Sequence, residues 1–196
     1  RRNSDPGVSR RTTRHRYGAA VPDPATTATA SRERRAWSAV AVGTMCSALP
    51  VFLTGAVGVQ LRDSLDITAT AIGLSMGVSF GVAALLSAPM GRLAQRMGPQ
   101  RAFRAGLTVT AAAMFAIALF AESATLLAGF LAVAGGANAL NQPSANLLLA
   151  SHISPTRLGF AFAVKQSGMP AAALVGGFAV PVVALTVGWE WAYAGA

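Results

Sequence analysis

Residues 91–101 read GRLAQRMGPQR, with three arginines set between two stretches that hold no formal charge at all. On one side lies ITATAIGLSMGVSFGVAALLSAPMG (67–91) and on the other AGLTVTAAAMFAIALFA (105–121). A helix crossing a bilayer core needs about 20 apolar residues at a rise of about 1.5 Å each. Read that way, the flanking stretches are membrane spans and the basic stretch is the connection between them. The same criterion, carried outward, predicts transmembrane helices at 37–61, 67–91, 103–121, 123–150 and 158–186, the last interrupted only by Lys165, with 188–196 as an incomplete sixth. The fold class expected is an all-α polytopic membrane protein with five complete transmembrane helices and the start of a sixth.

Composition agrees. The 196 residues are 53% hydrophobic and 12% charged, with a mean hydropathy of +0.49. Soluble domains carry about 25% charge. The net charge of +9 belongs mostly to one segment: Arg1, Arg2, Arg10, Arg11, Arg14, Arg16, Arg32, Arg34 and Arg35 all fall in residues 1–36. Beyond that segment basic and acidic residues nearly balance, so no basic groove for nucleic acid is expected. Residues 1–36 are poor in large apolar groups and cannot bury enough surface to offset their ordering entropy, which predicts a disordered basic cytoplasmic tail. An Arg-rich, acid-poor start also fits a transit peptide, and the solvated tail is the preferred reading. Cys46 stands alone and His15 and His152 are far apart, so neither a disulfide, a metal site nor a cofactor is expected. The chain opens on Arg1 and stops inside an apolar stretch, and it is read as the N-terminal fragment of a longer protein.

Lys and Arg mark the cytoplasmic side of a multi-pass protein. The tail, the 91–104 connection (Arg92, Arg96, Arg101, Arg104) and the 151–157 connection (Arg157) are basic. The alternate connections hold Arg62 against Asp63 and Asp66, then Glu122, then Glu190. The alternation predicts a cytoplasmic N-terminus in a multi-pass protein of a bacterial inner or plasma membrane.

The basic connection carries more than charge. Gly91, Leu93, Arg96 and Gly98 follow the spacing of the G-x-L-a-D-r-x-G-r-r loop that joins the second and third helices in the major facilitator superfamily, with Arg101 just past its basic pair, and the stretch resembles that loop in sequence and in place. Gln95 stands where that family has an aspartate, and Pro99 where it has a basic residue. The fifth span is similar to the glycine- and proline-rich fifth helix of antiporters in the same superfamily through Gly168, Pro170, Gly176, Gly177 and Pro181. Gly188-Trp189-Glu190-Trp191 is similar to the G-W-R-W that opens its sixth helix, with Glu190 in place of arginine. The resemblance covers residues 37–196. It implies the N-terminal half of a secondary transporter that moves a small solute by alternating access, proton coupling being left open. It further implies a missing C-terminal half as partner beside the lipid bilayer, and a gating role for Gly91, Leu93, Gln95, Arg96, Gly98 and Arg101. A second reading stays open: a truncated or scaffold membrane protein that transports nothing.

Polar side chains inside a span are costly and mark cavities or functional sites. The fourth span gathers Asn138, Asn141, Gln142 and Asn146 along one side. Asn138, Asn141 and Gln142 are expected to face a substrate cavity, although Pro143 frees the Ala139 carbonyl, which a nearby amide could satisfy instead. The family's basic residue in this helix is absent, Leu131 standing about where it would align, so no proton- or anion-binding role is carried over from it. Lys165, with Gln166 beside it, either snorkels to the cytoplasmic surface or turns into the cavity. Thr44 and Ser47 are weaker candidates. Glycines at four-residue spacing, Gly73, Gly77 and Gly81 in the second span and Gly168 and Gly176 in the fifth, predict close helix–helix contacts together with Pro170 and Gly177. Gly73-Leu74-Ser75-Met76-Gly77 matches the G-x-S-x-G of serine hydrolases, but that motif needs a strand-to-helix turn and a histidine partner. Enzymatic activity is therefore not expected, and no catalytic residue is assigned.

Overall fold

The computed structural model describes residues 24–195, so residues 1–23 of the expected disordered tail, and Ala196, lie outside the described residues. Helices follow one another along the chain: α1 (Pro24–Ala56), α2 (Gly58–Leu65), α3 (Ala69–Met97), α4 (Pro99–Phe120), α5 (Ala124–His152), α6 (Leu158–Gln166), α7 (Gly168–Ala179) and α8 (Trp189–Ala194). A π-helical turn at Val180–Ala184 follows α7. Among the described residues, five segments are long and apolar enough to cross a membrane: Glu33–Ala56, Ala69–Met97, Pro99–Phe120, Ala124–His152 and Leu158–Ala184. The shortest has 22 residues, and at about 1.5 Å per residue it rises roughly 33 Å, enough for a hydrocarbon core of about 30 Å.

Local chemistry explains most boundaries. Thr68 caps α3 by accepting from the Ala71 N–H at 3.2 Å, and Ser123 caps α5 by accepting from the Leu126 N–H at 3.3 Å. Helix α1 starts at Pro24, so residues 24–36 of the segment assigned to the tail are helical. The reason is that charge limits the part of a helix that suits hydrocarbon, whereas Ala, Arg and Glu are good helix formers wherever they lie. The fifth span is not one uniform helix. Pro170 has no N–H to offer the Gln166 carbonyl, and α6 ends at Gln166. Pro181 likewise frees the Gly177 carbonyl, and the chain widens there until the Leu185 N–H reaches the Val180 carbonyl at 3.0 Å.

Helix α5 is the hub, packing on α3, α4 and α1, while α1 grips α7 and α8 lies against α4. The main core joins Leu49, Leu53, Val57 and Leu61 of the first span to Ile117, Leu127, Leu131 and Tyr193. Tyr193 is buried, and its hydroxyl meets the Thr54 hydroxyl at 2.6 Å, which locks the sixth-helix segment to the first.

Small residues set how closely the helices approach, though not all where the sequence placed them. A Cβ on Gly168 would lie 2.8 Å from the Ala41 carbonyl oxygen, and one on Gly176 would lie 3.3 Å from that of Phe52, so the α1–α7 seam rests on these two glycines as expected. Gly73, Gly77, Gly81 and Gly177 have open space around their missing side chains, and Pro170 is exposed. The face of α3 that packs inward is instead Ile72, Ser75 and Ser79. The close approach of α3 to α5 is made by Gly135, where an added Cβ would strike the Ser79 carbonyl.

Charge separates to the two ends of the bundle. Arg34 and Arg157 line one cleft at one end, and Gln100, Arg104 and His152 line another. Ser64, Glu122 and Glu190 line a cleft at the other end.

Candidate functional site

The amides of α5 are built into one network with side chains from α1 and α6. Asn138 Oδ1 accepts from Ser47 Oγ at 2.9 Å, and Asn141 Nδ2 donates to the same Ser47 oxygen at 3.0 Å. Gln142 Nε2 reaches Asn138 Oδ1 at 3.5 Å. Lys165 Nζ donates to Gln142 Oε1 at 2.7 Å and to Asn146 Oδ1 at 2.8 Å. Residues 138, 142 and 146 recur every four positions, so they stand above one another on one face and offer acceptors to a neighbouring helix. Ser47, Asn141 and Lys165 are all buried, Lys165 with only 3% of its surface exposed. Lys165 therefore turns inward rather than snorkelling.

Gln166 does not join this group. One residue on from Lys165 it is rotated by about 100° round the helix, which leaves it exposed on the outer face. Thr44 is buried but spends its hydroxyl on its own helix, donating to the Val40 carbonyl at 2.8 Å. None of the α5 amides bonds to the Ala139 carbonyl; they bond to α1, to α6 and to each other.

A cavity of about 220 Å³ opens beside the network. Ser47, Pro50 and Phe52 of α1, Ser79 and Phe80 of α3, Ala134 and Asn138 of α5, and Met169 of α7 form its walls. Asn138 and Ser47 thus face the cavity directly. Gln142 stands one hydrogen bond behind Asn138 and Lys165 two, while Asn141 bonds Ser47 without lining the cavity. A Cβ on Gly106 of α4 would collide with the Asn141 amide, so that glycine makes the room the amide occupies. The walls are mostly apolar with three polar residues, Ser47, Ser79 and Asn138, among them, which suits a small solute with an apolar body and a hydrogen-bonding part.

The expected gating loop is not a loop. Residues 91–97 complete α3, Gly98 alone makes the turn, and α4 starts at Pro99. Arg, Leu, Ala, Gln and Met all favour helix, so nothing in 92–97 stops α3 once it leaves the hydrocarbon. Gly98 stops it with φ 85° and ψ 138°, a conformation only glycine adopts at little cost. Pro99 then fixes the first turn of α4. Ala94 and Ala102 are fully buried with Leu140, which clamps the turn to α5, and Gly91 meets Pro143 at the same place. Leu93, Gln95, Arg96 and Arg101 are exposed. Of the motif residues, then, Gly98 makes the turn and the side chains of Leu93, Gln95, Arg96 and Arg101 stay on the surface.

Ser75 lies within α3, buried, with its hydroxyl donated to the Ala71 carbonyl at 2.8 Å. His152 closes α5 and is exposed. The strand-to-helix turn of a hydrolase nucleophile is not formed here.

Sequence reasoning ranked Ser47 too low and missed Ser79, Gly106 and Gly135. The one visible signal was the Gly135-Gly136 pair a turn ahead of Asn138, since a close helix contact beside polar groups predicts that the same face looks into the bundle.

In comparison with known proteins, the family model described as Major Facilitator Superfamily matches residues 40–196. No curated protein matches the chain.

Proposed function

The chain belongs to the Major Facilitator Superfamily, a family of membrane transporters, and on that premise we propose that it is the N-terminal half of a secondary transporter working by alternating access. In this reading a second bundle faces the cavity lined by Ser47, Ser79, Asn138 and Met169, and the two halves rock about a solute held between them. Asn138 hydrogen-bonds the solute, and Gln142 and Lys165 hold Asn138 in place from behind. The basic end of the bundle is cytoplasmic, following the bias of Lys and Arg toward that side. The α3–α4 turn at Gly98 is the gating element, and an ion gradient drives transport, the proton gradient being the first to test.

The observation that supports this reading best is the placement of Asn138. It is a polar group on the wall of a mostly apolar cavity at membrane depth, tied to α1 through Ser47. The experiment is uptake by the full-length gene product in proteoliposomes under an imposed gradient. Removing a hydrogen-bonding group that meets substrate costs about 1–2 kcal/mol, so Asn138→Ala should slow uptake by about tenfold. Unchanged uptake of every transported compound by Asn138→Ala, with the protein folded, would place the solute elsewhere.

A further inference from the structure

Lys165 carries a positive charge into a membrane span without a formal negative charge to meet it. It lies seven residues into α6, roughly 10 Å along the helix axis. Its ammonium group has three N–H donors, and two are used, on Gln142 Oε1 and Asn146 Oδ1. Both acceptors are neutral amides. The acidic groups among the described residues are Glu33, Asp63, Asp66, Glu122 and Glu190, all at the ends of the bundle. The ion pair formed among the described residues is Arg157 with Glu33 at 3.3 Å, at the basic end. An ammonium this buried, with only amide dipoles for company, lacks the opposite charge that buried charges ordinarily pair with.

The geometry around it shows how an anion would enter. Gln142 belongs to both groups, accepting from Lys165 and donating to Asn138 on the cavity wall. It is half-buried, and its link to Asn138 is the longest in the network at 3.5 Å. Rotating this one side chain would break its contact with Lys165 and free that donor. Resting on the transport reading above, we propose that Lys165 receives an anionic oxygen group, a carboxylate or phosphate, carried by the transported solute. The group takes the position that Gln142 Oε1 holds in the empty cavity. The rest of the solute lies against Phe52, Phe80 and Met169. An anionic oxygen adds direct charge–charge attraction to a contact in which only the ammonium is charged, and this drives the exchange.

The test uses the full-length protein, purified in detergent and also reconstituted. Benzoate, citrate and inorganic phosphate serve as anionic probes, benzamide as the neutral control and tetramethylammonium as the cationic one. At least one anion should raise the unfolding temperature of the wild type. That shift should vanish in Lys165→Gln and persist in Lys165→Arg, with both variants monodisperse and helical. In proteoliposomes the same anion should be taken up, and Lys165→Gln should lose about tenfold or more of that rate. Wild-type stability indifferent to all three anions overturns the proposal, as does a shift that survives in Lys165→Gln. Uptake of benzamide or tetramethylammonium instead of anions overturns it while leaving transport intact. If Lys165→Gln does not fold, Gln142→Leu serves, since it leaves the ammonium with Asn146 as its remaining neutral partner and should tighten anion binding; weaker binding there counts against the proposal.

Discussion

At Gly135 the backbones of α3 and α5 come so close that a single added carbon has nowhere to go. The atom it would meet is the Ser79 carbonyl oxygen, part of a helix backbone that cannot swing aside as a side chain would. Gly135→Ala should therefore push the two helices apart and destabilise the protein by about 1–3 kcal/mol. Gly129, on the same helix, has no neighbour within 4 Å, so Gly129→Ala should be neutral or gain up to about 1 kcal/mol from helix propensity. Unfolding temperatures of the two variants in detergent check this, and equal values would remove Gly135 from its role. The contrast also shows what the sequence could not say at this scale. Glycines at four-residue spacing in the second and fifth spans predict small faces equally well, yet only Gly168 and Gly176 touch another helix of this bundle. Lipid and neighbouring helix are both apolar, so a spacing pattern tells that residues share a face without telling what that face meets. Polar residues are more legible, because hydrocarbon penalises them on any outward face. Asn138, Asn141 and Gln142 are expected at a cavity on that ground; all three lie in the network, and Asn138 alone of them lines the cavity.

Elements were read from charge and hydropathy, and the turn between α3 and α4 shows where that method stops. Five membrane-length helices follow in the expected order, although the first ends at Ala56 where residue 61 is expected, and the basic stretch between the second and third, expected as a loop, is almost entirely helix. Backbone hydrogen bonding does not end where the hydrocarbon does. A helix ends at a residue that breaks it, and here that residue is Gly98 followed by Pro99. The turn has no slack: one residue reverses the chain, and Ala94 and Ala102 on either side of it are fully buried against Leu140. Gly98→Ala puts a side chain at φ 85°, a strain of about 1–3 kcal/mol. The turn would have to rotate to relieve it, moving the ends of both helices. The expected outcome is a lower unfolding temperature together with a changed uptake rate in the full-length protein. A stability loss with transport unaltered would make the turn a structural joint and not a gate.

Taken whole, the bundle leaves one side of α3 without a partner, and that side is its most tightly stepped. Gly73, Gly77 and Gly81 lie above one another with open space before each, beside the exposed Leu74 and Phe80. Lipid chains gain little from such a groove, whereas another helix can lie in it and gain backbone-to-backbone contact. Phe80 also closes one wall of the cavity beside Ser47 and Asn138, so a helix seated in the groove would stand at the cavity's edge. That is where the second bundle of the proposed transporter would meet this one. Gly77→Ile fills the groove at its midpoint, where an added Cβ meets no atom of another helix of this half within 4 Å. The α3–α5 contact at Gly135 should therefore survive. In the full-length protein the variant should slow uptake by about tenfold or more and lower the unfolding temperature, because forcing bulk into a packed interface costs about 1–3 kcal/mol. Uptake and unfolding both matching the wild type would mean that this face looks onto lipid throughout the cycle, and the second bundle would then have to approach through α1 and α7 alone.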